Sequence, residues 1–88
     1  MNYQVQWTLK TAKQAKKIPP SERLRIIDSV GALADWPDCM AIKDIKPLKR
    51  HQHQYRLRVG RYRVLFDVET GLRVVSIEEV RKRDERTY

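Results

Sequence analysis

Arginine recurs at alternate positions in the second half of this 88-residue chain. Arg56 and Arg58 fall between apolar residues, and Arg61 and Arg63 do the same after Gly60. Because strand side chains point alternately to the two faces of a sheet, Arg56 and Arg58 should point away from their buried neighbours. Guanidinium groups bind phosphate oxygens through paired hydrogen bonds, so this spacing favours a phosphate-binding face. A solvated polar face is the plainer alternative.

The cationic surplus of the chain is concentrated around these arginines. Lys and Arg total 19 against 11 Asp and Glu, which gives a formal net charge of +8. Residues 1–40 carry six basic and four acidic side chains, whereas residues 41–88 carry thirteen and seven. Such a surplus on a small body predicts a polyanionic partner, whether RNA, DNA, an acidic protein or an anionic surface.

Two histidines precede the first arginine strand and are candidates for proton transfer. His51 and His53 are two residues apart, and histidine is the side chain that ordinarily titrates near neutral pH. Solvated histidines in a basic loop are the plainer reading. Cys39 has no second cysteine and no cluster of carboxylates is visible, so we expect neither a metal nor a cofactor.

Alternation and helical spacing predict six elements that position these residues. Pro19 and Pro20 end the first helix, and Ser21 is a plausible cap for the second. In chain order we expect a strand over Tyr3–Leu9, helices over Lys10–Lys17 and Glu22–Ala34, and strands over Tyr55–Val59, Tyr62–Phe66 and Leu72–Glu79. This β-α-α-β-β-β order predicts an α+β fold: a small, mainly antiparallel sheet with two N-terminal helices packed on one face.

The same patterns predict the core and a loop. Residues 36–47 are expected to form the loop, with Trp36 sealing the end of the second helix. The core should contain Trp7, Tyr62 and Phe66 from the strands, and Leu24, Ile27, Val30, Leu33 and Ala34 from the second helix.

Length and composition set the outer bounds. An 88-residue chain is expected to form one domain over residues 1–88, with no room for a deep cofactor cleft. The longest uncharged apolar stretch, Val30 to Ala34, is far too short to cross a bilayer, so no membrane partner is expected. The lone cysteine and the absence of a visible secretory signal predict a cytoplasmic protein.

Two segments resemble a known family. The hairpin YRLRVGRYRVLF at residues 55–66 and the closing KRDERTY at residues 82–88 are similar to those of RelE-like toxins in the RelE/ParE superfamily. The resemblance covers nearly the whole chain. It implies the toxin component of a type II toxin–antitoxin system, a metal-independent endoribonuclease that cleaves mRNA on the ribosome. The implied partners are a cognate antitoxin, ribosomal RNA and mRNA.

The resemblance also assigns residues. Arg63 matches the arginine of the family's Gly-x-Tyr-Arg hairpin, Arg83 the arginine of its basic C-terminal segment, and Tyr88 the closing tyrosine. These three are the implied catalytic residues: the two arginines stabilise transition-state charge, and Tyr88 stacks on a base or moves a proton. Arg56 and Arg58 stand where the best-known members carry lysines, and arginine does not lose its proton in proteins. Residues expected to bind RNA are Arg56, Arg58, Arg61, Lys49, Arg50 and Lys82.

Two other functions remain open. The ParE branch shares the fold but is implied to poison DNA gyrase without nuclease activity, using the basic face for docking. An inactive module that binds nucleic acid or an antitoxin is the third candidate, because no general base is identified. Arg63, Arg83 and Tyr88 together favour the nuclease.

Overall fold

The computed structural model describes residues 2–83 and has a five-stranded sheet at its centre. Its strand order is β1-β5-β4-β3-β2. Two helices and two short 3-10 turns, Ala32–Asp35 and Asp38–Ala41, complete the described fold. In chain order the elements are β1 (Gln4–Trp7), α1 (Leu9–Lys16), α2 (Pro20–Gly31), β2 (Ile45–Pro47), β3 (Tyr55–Val59), β4 (Tyr62–Glu69) and β5 (Val74–Lys82). The predicted α+β fold is confirmed.

Hairpins build most of the sheet, and one parallel pairing closes it. β3 and β4 form a hairpin whose turn contains Gly60 at φ +57°, a conformation that suits glycine. β5 then pairs antiparallel with β4, and β1 returns parallel to β5. Strands from the two ends of the described chain therefore lie side by side, and β4 and β5 become interior strands.

One face of the sheet packs against α2 and forms the core. Phe66, Leu57 and Ile77 are fully buried there beneath Ile26 and Val30 of α2. Further members of this core are Trp36, Tyr62, Leu33, Val64 and Val75. The aromatic rings meet edge to face, with Trp36 4.7 Å from Tyr55 and 5.7 Å from Phe66 between centroids, a favourable arrangement.

The buried stripe of α2 differs from the predicted one. Leu24 and Ile27 are 68% and 46% exposed, so the prediction that they are core residues is wrong. The helix instead buries Ile26, which is 1% exposed, beside Val30, whose predicted burial is confirmed. Positions 26 and 30 lie on the same side of a helix, and this stripe, rather than the one through 24 and 27, faces the sheet.

The segment expected to be one loop contains structure. Residues 36–47 include a 3-10 turn and the edge strand β2, which pairs antiparallel with β3. β2 is only three residues long and ends at Pro47, so it carries too little alternation to be recognised in sequence. β2 is the edge strand next to β3, the strand that carries Arg56 and Arg58.

α1 packs beside β5 at the point where the pairing with β1 ends, at Ile77. The Oγ1 of Thr11 donates to the carbonyl of Ile77 at 3.2 Å, and the Oε1 of Gln14 accepts from the N–H of Val80 at 2.8 Å. These side chains satisfy backbone groups at a strand edge that would otherwise be open. Within residues 2–83, neither helix has the length and apolar content to cross a bilayer.

Candidate nucleic-acid interface

Three arginines stand in a row across the sheet face opposite α2. The strand register places Arg58 of β3 opposite Arg63 of β4, and Arg63 opposite Arg81 of β5. We call Arg58, Arg63 and Arg81 the arginine row. Like charges directly opposite each other destabilise a sheet, so this arrangement gives up stability for a dense cationic surface. A ligand with several negative charges would remove that repulsion.

A carboxylate lies at each end of the arginine row. The Nε of Arg58 is 3.1 Å from Oδ2 of Asp44, and the Nε of Arg81 is 2.8 Å from Oε1 of Glu79. Burial lowers the pKa of the Arg63 guanidinium, as does charge from Arg56, Arg83 and Arg58. Carboxylates therefore partly neutralise the two outer arginines, and Arg63 lies between them.

Arg56 lies on this face, as alternation predicts, but it is not at the surface. Its side chain is only 10% exposed, against 44% for Arg58. An Nη2 donor of Arg56 reaches Oδ1 of Asp44 at 2.9 Å. The alternation predicted which face Arg56 occupies but carried no sign of this burial. In the free protein, Arg58 is thus open to a ligand and Arg56 is largely covered.

The implied catalytic residues divide into two that meet and one that is not described. Arg83 follows β5 directly, its backbone N–H donates to the carbonyl of Arg61, and its charge reaches Arg63. Arg63 and Arg83 thus belong to one cationic site. Tyr88 lies outside the described residues.

Four of the residues expected to bind RNA lie away from the arginine row. Arg61, at the hairpin turn, pairs with Glu22 of α2 at 2.9 Å. Hydrogen bonds from Arg61 and Tyr62 lower the pKa of Glu22. Lys82 is opposite Tyr62 in the register and so shares the face that α2 covers. Lys49 and Arg50 are exposed in the segment between β2 and β3.

His53 is placed at the other end of the same sheet face. Its Nδ1 is 3.1 Å from Oδ2 of Asp67, and its side chain is 13% exposed. His51 is exposed, and its Nδ1 accepts a hydrogen bond from the N–H of His53 at 3.0 Å. Of the two histidines, His53 is therefore the one that is partly buried and hydrogen-bonded to a carboxylate.

Within residues 2–83, one group of side chains has the spacing of metal ligands. The ligand atoms of His53, Asp67 and Glu78 all lie within 4.8 Å of one another. No sequence motif indicates this group, because a loop, β4 and β5 each contribute one member. The His53–Asp67 hydrogen bond alone accounts for the approach of two of the three.

Sequence reasoning missed Arg81, Asp44 and Glu79. Arg81 lies beside Arg63 only because β5 pairs with β4. The signal was present in the alternation of β5, where buried Val80 implies that Arg81 faces the opposite side. Asp44 is the single acidic residue between Lys43 and Arg63, and this position by itself indicates no role.

Comparisons with known proteins agree with this architecture. No protein-family model matches the chain. RelE1 of Methanocaldococcus jannaschii, a candidate toxin by its name, is 29% identical over 84 residues, which cover 96% of this chain and 93% of that protein.

Solved structures extend the similarity to the fold. A chain in the crystal structure of the archaeal RelE–RelB complex from Pyrococcus horikoshii matches with a TM-score of 0.81 at 24% identity, over 97% of this chain and 99% of that one. A chain of the Mycobacterium tuberculosis toxin–antitoxin complex RelBE2 matches with a TM-score of 0.78 at 26% identity, over 94% and 100%. The chain is thus similar in sequence to RelE1 over nearly its full length, and it shares its fold with chains of RelE–RelB-type complexes.

Proposed function

We propose that this chain is the toxin component of a type II toxin–antitoxin system, an endoribonuclease that cleaves mRNA on the ribosome. The observation that carries the proposal is the arginine row, Arg58, Arg63 and Arg81, joined by Arg83. Successive phosphates of an RNA strand are attracted by such a dense row of positive charges. The similarity to RelE1 and to RelE chains supports the same reading.

The chemistry follows from the charge. Attack of an RNA 2′-oxygen on the adjacent phosphorus forms one P–O bond and breaks the bond to the 5′-oxygen of the next nucleotide. The negative charge that develops on the phosphoryl oxygens would be stabilised by Arg63 and Arg83. Losing one such preorganised donor typically costs about 100- to 1,000-fold in rate. Because guanidinium groups supply the positive charge, the proposed reaction needs no metal ion.

Two proton transfers complete this reaction. A base takes the proton from the 2′-hydroxyl group, and an acid gives one to the departing 5′-oxygen. Arginine performs neither step well, because it stays protonated in proteins. His53, which Asp67 orients on the same sheet face, and Tyr88 are the candidates that this chain offers for these roles. A bell-shaped dependence of cleavage rate on pH would report the two groups.

A cognate antitoxin is the second proposed partner. The Pyrococcus horikoshii and Mycobacterium tuberculosis matches are both to chains solved in RelE–RelB-type complexes. A protein with an acidic segment would complement the arginine row and block access of RNA to it. We infer that the chain acts in the cytoplasm, where translating ribosomes present the mRNA.

Brief induction of the chain in a bacterial host without the antitoxin tests the proposal. We expect growth arrest within minutes, and primer extension should reveal new 5′ ends inside translated codons. Messages whose start codon has been removed should stay intact, because they are not translated. Stalled DNA–gyrase complexes with intact mRNA would instead support a ParE-like toxin, and intact mRNA without such complexes would leave only a binding module.

A further inference from the structure

We propose that Asp44 is a positioning residue that holds Arg58 in the orientation in which it meets an RNA phosphate. The proposal rests on the proposed function and adds a role that the family resemblance did not assign. One carboxylate oxygen of Asp44 binds Arg56 at 2.9 Å, and the other binds Arg58 at 3.1 Å. A single carboxylate thus fixes the two guanidinium groups relative to each other.

The backbone places Asp44 for this task. Ile45 is opposite Leu57 in the β2–β3 register, so the preceding residue, Asp44, lies opposite Arg58. The N–H of Arg58 donates to the carbonyl of Asp44 at 2.9 Å, which extends the ladder by one step. Arg56 is the diagonal neighbour on the same face, within reach of the same side chain. Both contacts therefore start from ordered strand backbone.

The choice of nitrogen atoms leaves Arg58 able to bind a ligand. A guanidinium group has five N–H donors, and the ion pair with Asp44 is made at the Nε of Arg58. The two terminal nitrogens remain for the paired hydrogen bonds that a phosphate accepts. The Arg58 side chain is 44% exposed, so a phosphate can reach these donors.

Arg56 is the buried partner of Asp44 in this arrangement. Its side chain is 10% exposed and pairs with Asp44 through Nη2. A buried cation that is paired with a carboxylate is held in one conformation, whereas an exposed arginine samples many rotamers. Asp44 connects the fixed Arg56 to the exposed Arg58. The rotamer freedom that Arg58 would lose on binding RNA is therefore already reduced in the free protein.

A competing role for Asp44 makes the opposite prediction. If the carboxylate only neutralised Arg58 and competed with phosphate, its removal would strengthen RNA binding and speed cleavage. If Asp44 positions Arg58, its removal would loosen Arg58 and slow cleavage, although the net charge becomes more positive. The two roles differ in the sign of the effect.

The test uses Asp44→Asn in the full chain, with Asp28→Asn on the exposed side of α2 as the control for charge. The first readout is the ¹⁵N NMR signal of the Arg58 Nε–H group. We expect this group to be ordered in the wild type and in Asp28→Asn, and to lose order in Asp44→Asn. Unchanged order in Asp44→Asn would overturn the proposal.

The second readout is cleavage of mRNA on purified ribosomes. We expect kcat/KM of Asp44→Asn to fall about 10- to 100-fold relative to Asp28→Asn, with part of the fall in KM because RNA binding weakens, and Asp44→Glu to recover part of the loss. Faster cleavage by Asp44→Asn would overturn the proposal in favour of competition. Arg56→Lys, which keeps the charge but loses the fork geometry, should also slow cleavage and serves if Asp44→Asn does not fold.

Failure of the proposed function gives a different result. If wild-type protein does not cleave mRNA on ribosomes, the nuclease assignment falls, and a titration with a single-stranded RNA oligonucleotide decides the role of Asp44. The Arg58 Nε–H signal should then shift at lower RNA concentration in Asp28→Asn than in Asp44→Asn. Equal midpoints of the two RNA titrations, or a lower midpoint for Asp44→Asn, would overturn the positioning role.

Discussion

The two faces of the sheet are built from alternate residues of the same strands, yet one face is apolar and buried and the other carries a row of arginines. On the α2 side, Leu57, Phe66 and Ile77 exclude water and pack against apolar neighbours. On the other side, Arg58 and Arg63 stand opposite each other, an arrangement that disfavours folding. The apolar face therefore supplies the stability that lets the second face hold repelling charges.

This difference shows how the fold accommodates a densely cationic surface. A cationic face on isolated strands would push them apart, whereas strands fixed by a core on one side keep the arginines at strand spacing, about 5 Å apart. Asp44 and Glu79 reduce the repulsion at the two ends of the arginine row, at Arg58 and Arg81. Substitutions on the apolar face should therefore change mainly the free energy of unfolding, and substitutions on the arginine face should change mainly RNA affinity.

The largest expected effect on stability comes from the apolar face. Phe66→Ala should lower the free energy of unfolding by about 3–5 kcal/mol, because it leaves a cavity beside Trp36 and Tyr55. Urea denaturation measures the change. Leu72→Ala, at an exposed position, should change stability by less than about 0.5 kcal/mol. A loss below about 1 kcal/mol for Phe66→Ala would show that this face does not form the core.

The arginine face should control RNA affinity instead. Arg58→Ala should weaken binding of a single-stranded RNA oligonucleotide several-fold and reduce the slope of log K against log salt by about 0.7, the value for one lost phosphate contact. Lys13→Ala removes one positive charge from the exposed side of α1 and should leave that slope unchanged. Equal slopes for the two variants would mean that phosphate contacts are not localised on the arginine row.

The smallest expected effect is a gain in stability. Arg63→Gln should raise the free energy of unfolding by about 0.5 kcal/mol, because it relieves repulsion from Arg58 and Arg81. Denaturation at low and high salt measures it, and the gain should shrink at high salt as screening increases. A clear loss of stability would show that favourable contacts of Arg63 outweigh this repulsion.

The sequence alone predicts the hairpin best. The bounds of β3 agree with the prediction, and β4 begins at the predicted Tyr62 but continues to Glu69 instead of ending at Phe66. Alternation is a local signal, and it indicates which residues share a face. The side of the sheet that carries Arg58 is therefore predictable from the residues of β3 alone.

Long-range pairing is what the sequence could not provide. The parallel pairing of β1 with β5 joins residues about 70 positions apart, and no local pattern encodes it. Arg81 joins the arginine row only through the β4–β5 register, which contains an irregularity between Leu65 and Phe66. The sequence of α2 contains two apolar stripes, one through Leu24 and Ile27 and one through Ile26 and Val30, and only contact with the sheet determines that the second is buried.

Single-turnover cleavage of mRNA on purified ribosomes by Arg63→Ala tests the central claim most directly. The claim is that the centre of the arginine row stabilises the charge of the reacting phosphate. We expect the rate to fall about 100- to 1,000-fold, with the variant folded and Lys13→Ala as fast as the wild type. A folded Arg63→Ala protein that cleaves at the wild-type rate would contradict the claim.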